Sequence, residues 1–386
     1  MKFDVWAPYA HDVKVVVDGV EHPMRRDDAR TGWWLSDIEK VPGQRYGFSL
    51  FDGASWTSPL PDPRSTRQPD GVHGLSAVTD PEFEWSDQHW TNYELKGQVI
   101  YELHVGTFSK EGTFDGVVDK LDYLVDLGVT TIELMPVQPF GGERNWGYDG
   151  VDWFAVQESY GGPDGLKRLV NAAHRRGVGV YLDVVFNHFG PDGNYNGQFG
   201  PYTTSGSTGW GDVVNFSGAD SDEVRAFVLD AVRRWLTEFH IDGLRLDAVH
   251  SYDDRNAYSI MEQINMLADE VEAEFGPNPI IIAESDLNDP RIISDYSVGG
   301  YGLDAQWLDD VHHALHTVVT GENNAYYEDF GTIEILADTL RHGFRFRNHY
   351  SSFRGRTHGR ALDLSTIPPW KLITYTCLLY TSPSPR

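Results

Sequence analysis

The stretch Val178-Gly-Val-Tyr-Leu-Asp-Val-Val-Phe-Asn-His188 decides how this chain is read. It is apolar on both faces, so it predicts a strand over 178–186 buried on both sides, and it ends in polar groups at its C-terminal end. A helix after Pro163-Asp164 precedes it, carrying Leu166, Leu169, Val170 and Ala173 on one face and ending at Gly177. The same rhythm runs in both directions. Upstream lie a strand Val99 to Val105, a helix Phe114 to Leu127 and a strand Thr130 to Met135. Downstream come a helix Asp222 to Phe239 feeding a strand Gly243 to Asp247, a helix around Ile260, Ile264, Leu267 and Val271, and a strand Pro279 to Glu284. Gly302 to Trp307 and Lys371 to Thr376 complete the set. Repeated βα units with apolar strands imply a parallel sheet, and this many in succession predict an α/β fold of the (β/α)8 barrel type over residues 91–376.

Residues 1–90 read differently. Short β-rich runs at Val13 to Val17 and Tyr46 to Phe51, separated by Asp18-Gly19, Pro42-Gly43 and Asp52-Gly53, predict an all-β sandwich of immunoglobulin-like type. A proline-rich connection over residues 59–71 leaves it.

Composition bounds the function. The 386 residues are enough for two domains at about 100–200 residues each, and no apolar run of about 18 residues predicts a membrane span. The N-terminus lacks the pattern of a secretory signal, which makes the cytoplasm the expected compartment. With 31 basic and 58 acidic residues the net charge is −27, which argues against nucleic acid and anionic membranes as partners and for a neutral substrate. Only 8 of the 31 cations are lysines, a balance that suits concentrated salt. A single cysteine, Cys377, excludes a disulfide framework.

In a barrel, chemistry sits at the C-terminal strand ends. Those ends supply Glu102, His104, Asp183, Asn187, His188, Arg245, Asp247 and Glu284. Two carboxyls in unlike environments are what glycoside hydrolysis needs, one ionised to attack and one holding a proton for the leaving oxygen. Asp247 has Arg245 two residues away on the same strand face, whereas Glu284 follows Ile280, Ile281, Ile282 and Ala283. The first environment favours a carboxylate and the second a neutral acid. A metal at His188 and Asp183 lacks further ligands at zinc-like spacing, and no glycine-rich phosphate loop opens a helix.

Asp183-Val-Val-Phe-Asn-His188, Gly243-Leu-Arg-Leu-Asp-Ala-Val-His250 and Ala283-Glu284 together resemble three signature regions of the α-amylase superfamily. Tyr101 to Phe108, Asn145 to Gly150, Asn187 to Tyr195 and especially Asp304 to His316 resemble its trehalohydrolase subfamily. The resemblance implies a retaining hydrolase without a cofactor, cleaving the α-1,4 bond next to the terminal trehalose of maltooligosyl trehalose. It implies Asp247 as nucleophile and Glu284 as general acid/base. Arg245, His188 and Tyr148 would hold the sugar at the cleavage point, with Asp183 and Asn187 bracing them. His250, Asp309, Asp310, His312 and His313 would contact the glucosyl units beyond the bond. The rival expectations are a glucan branching enzyme and a non-catalytic glucan-binding protein.

One element of the superfamily pattern is missing. The third acid, expected in an Asn-His-Asp motif after the seventh strand, is replaced by Cys377-Leu-Leu-Tyr-Thr-Ser-Pro-Ser-Pro-Arg386, which reads like a translated adapter or a frameshift. The expectation is therefore a barrel cut short near strand seven, and a chain that is insoluble or inactive as written.

Overall fold

The computed structural model describes residues 1–276 and 278–376; the expected non-native tail, with Cys377, lies outside the described residues. The N-terminal strands form two antiparallel sheets. One orders Lys2–Trp6, Trp33–Glu39 and Arg25–Arg26, and the other orders Val20–Pro23, Asp12–Val17, Arg45–Phe51 and Ser76–Ala77. The Asp18-Gly19 turn signal holds for a physical reason. Both residues have positive φ (49° and 80°), as a two-residue hairpin between paired Val17 and Val20 requires. Alternating apolar residues meet between the sheets, where the Phe3 and Tyr46 rings lie 4.9 Å apart.

The larger part is one parallel sheet of seven strands. In chain order they are Ile100–Leu103, Thr131–Leu134, Gly179–Val184, Gly243–Leu246, Ile280–Ala283, Ala305–Trp307 and Leu372–Ile373, and each pairs with its sequence neighbour. The sheet curls. Tyr181, Ile280, Ile282, Ala305 and Trp307 fill one inner cluster that both the first strand, through Ile100, and the seventh, through Ile373, pack against. A cavity of about 370 Å³ separates those two strands, lined by Ile100 and Glu102 on one side and by Leu372, Ile373 and Tyr375 on the other. The expected (β/α)8 architecture is thus present as seven strands that do not close.

Helices Gly162–His174, Ser221–Thr237 and Ile260–Phe275 cover the outside, each burying the apolar stripe predicted from its spacing. Two elements differ from expectation. The first strand stops at Leu103 and turns through a single helical turn, Val105–Phe108. The helix expected over 114–127 breaks into Phe114–Val118 and Leu121–Asp126, because the Lys120 N–H bonds three residues back to the Val117 carbonyl and tightens the chain at that point.

The two parts are fastened together. Arg67 forks onto Glu158 at 2.6 and 3.2 Å, Trp33 Nε1 donates to Glu223 at 3.0 Å, and the Trp6 ring meets Tyr202 at 5.4 Å. The connecting segment then passes under the N-terminal ends of the barrel strands, where Asn92 Nδ2 donates to the Asp242 and Asn278 carbonyls.

Candidate active site

Strand register builds the site. Asp183 and Arg245 are direct partners on adjacent parallel strands, so their side chains leave the sheet on the same face. The ladder continues past both strand ends: the Asp247 N–H donates to the Val184 carbonyl and the Glu284 N–H to the Leu246 carbonyl, each at 3.0 Å. Four charged side chains are thereby fixed by backbone that has little freedom to move.

Arg245 is their hub. Its Nη1 lies 2.9 and 2.8 Å from the two Asp183 oxygens and 2.7 Å from Asp247 Oδ1, and its Nη2 is 3.5 Å from Glu284 Oε2. The guanidinium sits over the Trp307 ring at 4.5 Å. Burial works against its charge, but Asp183, Glu284 and Asp247 outweigh that and keep it protonated well above the usual range. Burial pushes the Asp183 carboxyl up to about 7 against the opposing pull of Arg245. Tyr148 Oη donates to Asp183 Oδ2 at 2.6 Å.

The two candidate reacting carboxyls differ in their surroundings. Asp247 accepts on both oxygens, from Arg245 on Oδ1 and from Asn187 Nδ2 on Oδ2 at 2.7 Å. Asn187 in turn contacts His188 Nδ1, whose ring reaches the Tyr148 carbonyl through Nε2 at 3.0 Å. Glu284 accepts the Ala248 N–H on Oε2 at 2.7 Å, while Oε1 has no hydrogen-bond partner among the described residues. Burial raises its carboxyl above the ordinary value, opposed by Arg245 and reinforced by Asp247. One carboxyl with both oxygens engaged beside another with raised proton affinity and a free oxygen can run nucleophilic attack and proton donation on opposite sides of one bond.

Tyr148, Asp183, Asn187, His188, Arg245, Asp247 and Glu284 are therefore one connected group. The others spread outward. His250 is half-buried, with Nδ1 4.0 Å from Asp286 Oδ1, and Asp309 accepts Tyr375 Oη at 2.7 Å. Asp310, His312 and His313 lie inside the fold. Asp310 Oδ2 takes Asn288 Nδ2 at 2.8 Å and the Arg345 N–H at 2.7 Å, His312 stacks on Tyr375, and His313 is ringed by Tyr326, Tyr327 and Phe330. Burial lowers the two imidazoles to about 4 and about 3.

Sequence reading missed three features. Trp307 reads as a strand residue, yet it carries the Arg245 stack. Ala248 adopts φ 43° and ψ 50°, the left-handed conformation that aims its N–H at Glu284, and nothing about an alanine signals this. Glu133 is fully buried beside its register partner Glu102, with both carboxyl oxygens unpartnered among the described residues. A charge between Ile132 and Leu134 was the available signal. Among the described residues no group of three or more His, Cys, Asp or Glu side chains could hold a metal, and no helix is long and apolar enough to cross a membrane.

Comparison with known proteins places this geometry in context. The family model "Alpha amylase, catalytic domain" matches residues 77–207. Malto-oligosyltrehalose trehalohydrolase of Mycobacterium tuberculosis is 50% identical over 380 residues, covering 97% of this chain and 65% of that protein. A 1,4-alpha-glucan branching enzyme of Corynebacterium jeikeium is 31% identical over 342 residues, covering 79% of this chain and 47% of that one. Among solved structures, a putative alpha amylase from Salmonella typhimurium superposes with a TM-score of 0.88 at 36% identity, covering 98% of this chain and 64% of the other. The chain spans just under two thirds of the length of its trehalohydrolase relative.

Proposed function

We propose that the chain is a member of the α-amylase superfamily and carries the reaction centre of a retaining glycosidase that releases trehalose from maltooligosyl trehalose. The observation that carries this reading is the Arg245 hub, which holds Asp247 and Glu284 on either side of one guanidinium in unlike environments. Asp247 attacks the anomeric carbon from its fixed position while Glu284, protonated, donates to the departing oxygen through Oε1. The bond to the leaving trehalose breaks as the bond to Asp247 forms. Glu284, now ionised, takes a proton from the water that releases the glucan, which restores both groups. Tyr148, over Asp183, forms the floor for the sugar; His188, fixed through Asn187 and the Tyr148 carbonyl, presents its ring edge to the sugar hydroxyls.

Identity of 50% to a trehalohydrolase against 31% to a branching enzyme favours water over a second glucan as the acceptor.

The test compares the chain alone with the chain joined to the portion of the Mycobacterium tuberculosis relative beyond its match, each given maltotriosyl trehalose. Trehalose is expected from the folded fusion and lost by several orders of magnitude in its Asp247→Asn form. A folded fusion that transfers glucan without freeing trehalose, or an Asn form with full activity, overturns the reading.

A further inference from the structure

Residues 339–362 form an island of opposite sign. In a chain of net charge −27 this segment holds six arginines and three histidines without one aspartate or glutamate. Two of the six arginines are ion-paired and a third is held by a carbonyl, while Arg341 is exposed, has no ion pair among the described residues and lies outside the cavity that Arg356 and Arg360 line. Arg347 pairs with Asp338 at 2.7 Å, Arg354 with Asp286 at 2.7 Å, and Arg345 Nε donates to the Asp329 carbonyl. Arg356 and Arg360 have no ion pair among the described residues, and both are exposed. They stand on and just after the hairpin strand Arg356–His358 and line one side of a cavity of about 490 Å³.

The rest of that cavity is neutral. Arg291 lines it too, but its guanidinium is chelated by Asp289 at 2.6 to 3.1 Å, so this pair adds no net charge. Thr357 contributes a hydroxyl, and the floor is pinned by the Arg360 N–H donating to the Asn288 carbonyl at 3.0 Å. Arg356, with only Nη1 engaged, donating to the Thr357 carbonyl at 3.5 Å, and Arg360 offer several planar N–H donors over one polar surface, a donor set that suits a tetrahedral dianion better than a single carboxylate. The overall negative field repels polyanions such as nucleic acid or an anionic membrane, and a small dianion in a screened local basic pocket escapes that penalty.

We propose that the Arg356/Arg360 cavity is a binding site for a phosphate dianion, presented free or as the monoester of a sugar. It joins the loop after Glu284, at Asn288 to Arg291, to the hairpin between the sixth and seventh strands of the large sheet, outside the catalytic group, and it does not depend on the reading of that group.

Calorimetry of the 386-residue chain with inorganic phosphate, glucose 6-phosphate and glucose tests this, run at low and high ionic strength. Saturable one-to-one phosphate binding that weakens with salt is expected, falling about tenfold for each guanidinium removed in Arg356→Gln and Arg360→Gln. Tighter binding of glucose 6-phosphate than of phosphate identifies the monoester as the ligand, and equal binding identifies free phosphate; glucose alone gives no heat at this site. Phosphate protection of Arg356 and Arg360, but not of Arg341, against phenylglyoxal supplies a readout on the unaltered chain. Absence of saturable phosphate binding, equal affinity in the double variant, lack of arginine protection, or displacement of phosphate by maltotriose overturns the proposal.

Discussion

His174 should make the stability of this protein fall on the alkaline side of neutrality, and the structure gives the size of the effect. The imidazole, at the end of the helix Gly162–His174, is clamped between Asp87 Oδ2 at 2.9 Å and Asp242 Oδ2 at 2.8 Å with its side chain 1% exposed. Trp90 stacks on it at 4.6 Å and donates to Asp242 Oδ1 at 2.6 Å, and His240 reaches Asp87 from the other side at 2.8 Å. Burial opposes the charge, but Asp242 and Asp87 overcome it and raise His174 from 6.5 to about 9. At 1.36 kcal/mol for each pH unit this corresponds to on the order of 3 kcal/mol. A raised folded-state value contributes fully below pH 6.5, the ordinary value, and is lost as pH rises through about 9. The lowered carboxyl of Asp87 bounds the other side, its contribution disappearing as pH falls below the ordinary 3.8. Asp183, raised to about 7, and Asp304, raised to about 6, also weaken the fold as pH rises, so the informative quantity is a difference. Urea unfolding of the chain and of His174→Gln across this range should give a gap of at least on the order of 3 kcal/mol near pH 6 that closes towards pH 10. A gap that stays constant over that range refutes an ionised His174 as the clasp beneath the barrel.

Three further predictions concern the reaction centre, the first two measured in the fusion. Glu284→Gln should abolish cleavage of maltotriosyl trehalose but spare the first-turnover release of fluoride from a glycosyl fluoride, whose leaving group needs no proton, with later turnovers slowed because water has lost its base; equal loss of the first turnover on both substrates argues against an acid role. Because burial raises Glu284, the alkaline limb of kcat/KM should lie above the range of an ordinary glutamate, and a limb within that range contradicts this. Gly147→Ala should cost about 2 kcal/mol or more and displace Tyr148. Its φ is 103° and an added Cβ would sit 2.2 Å from the Pro136 carbonyl oxygen, so unchanged melting and activity would show that the turn has room.

Much of the fold was legible because strand and helix periods are physical consequences of burial. The 178–186 run and the helix stripes around Leu166 and Val224 face apolar neighbours on both sides or on one, and sequence spacing records that directly. The break at Lys120 and the early end of the first strand were not legible, since both arise from local hydrogen bonding that leaves no compositional mark. In the site, Asp183, Arg245, Asp247 and Glu284 could be listed from strand ends, whereas their common hub depends on register across three strands. The inward packing of Asp310 against Asn288 and Arg345 and of His312 against Tyr375 was not legible, since it depends on contacts with segments distant in the chain.

The most direct test of the double-displacement account is to trap the glycosyl intermediate. A maltosyl fluoride slowed by fluorine on the sugar ring, given to the folded fusion and followed by proteolysis and mass spectrometry, should leave the glycosyl group on the peptide containing Asp247. Labelling of Glu284 or of any other carboxylate, or turnover with inversion and no covalent species, would contradict it.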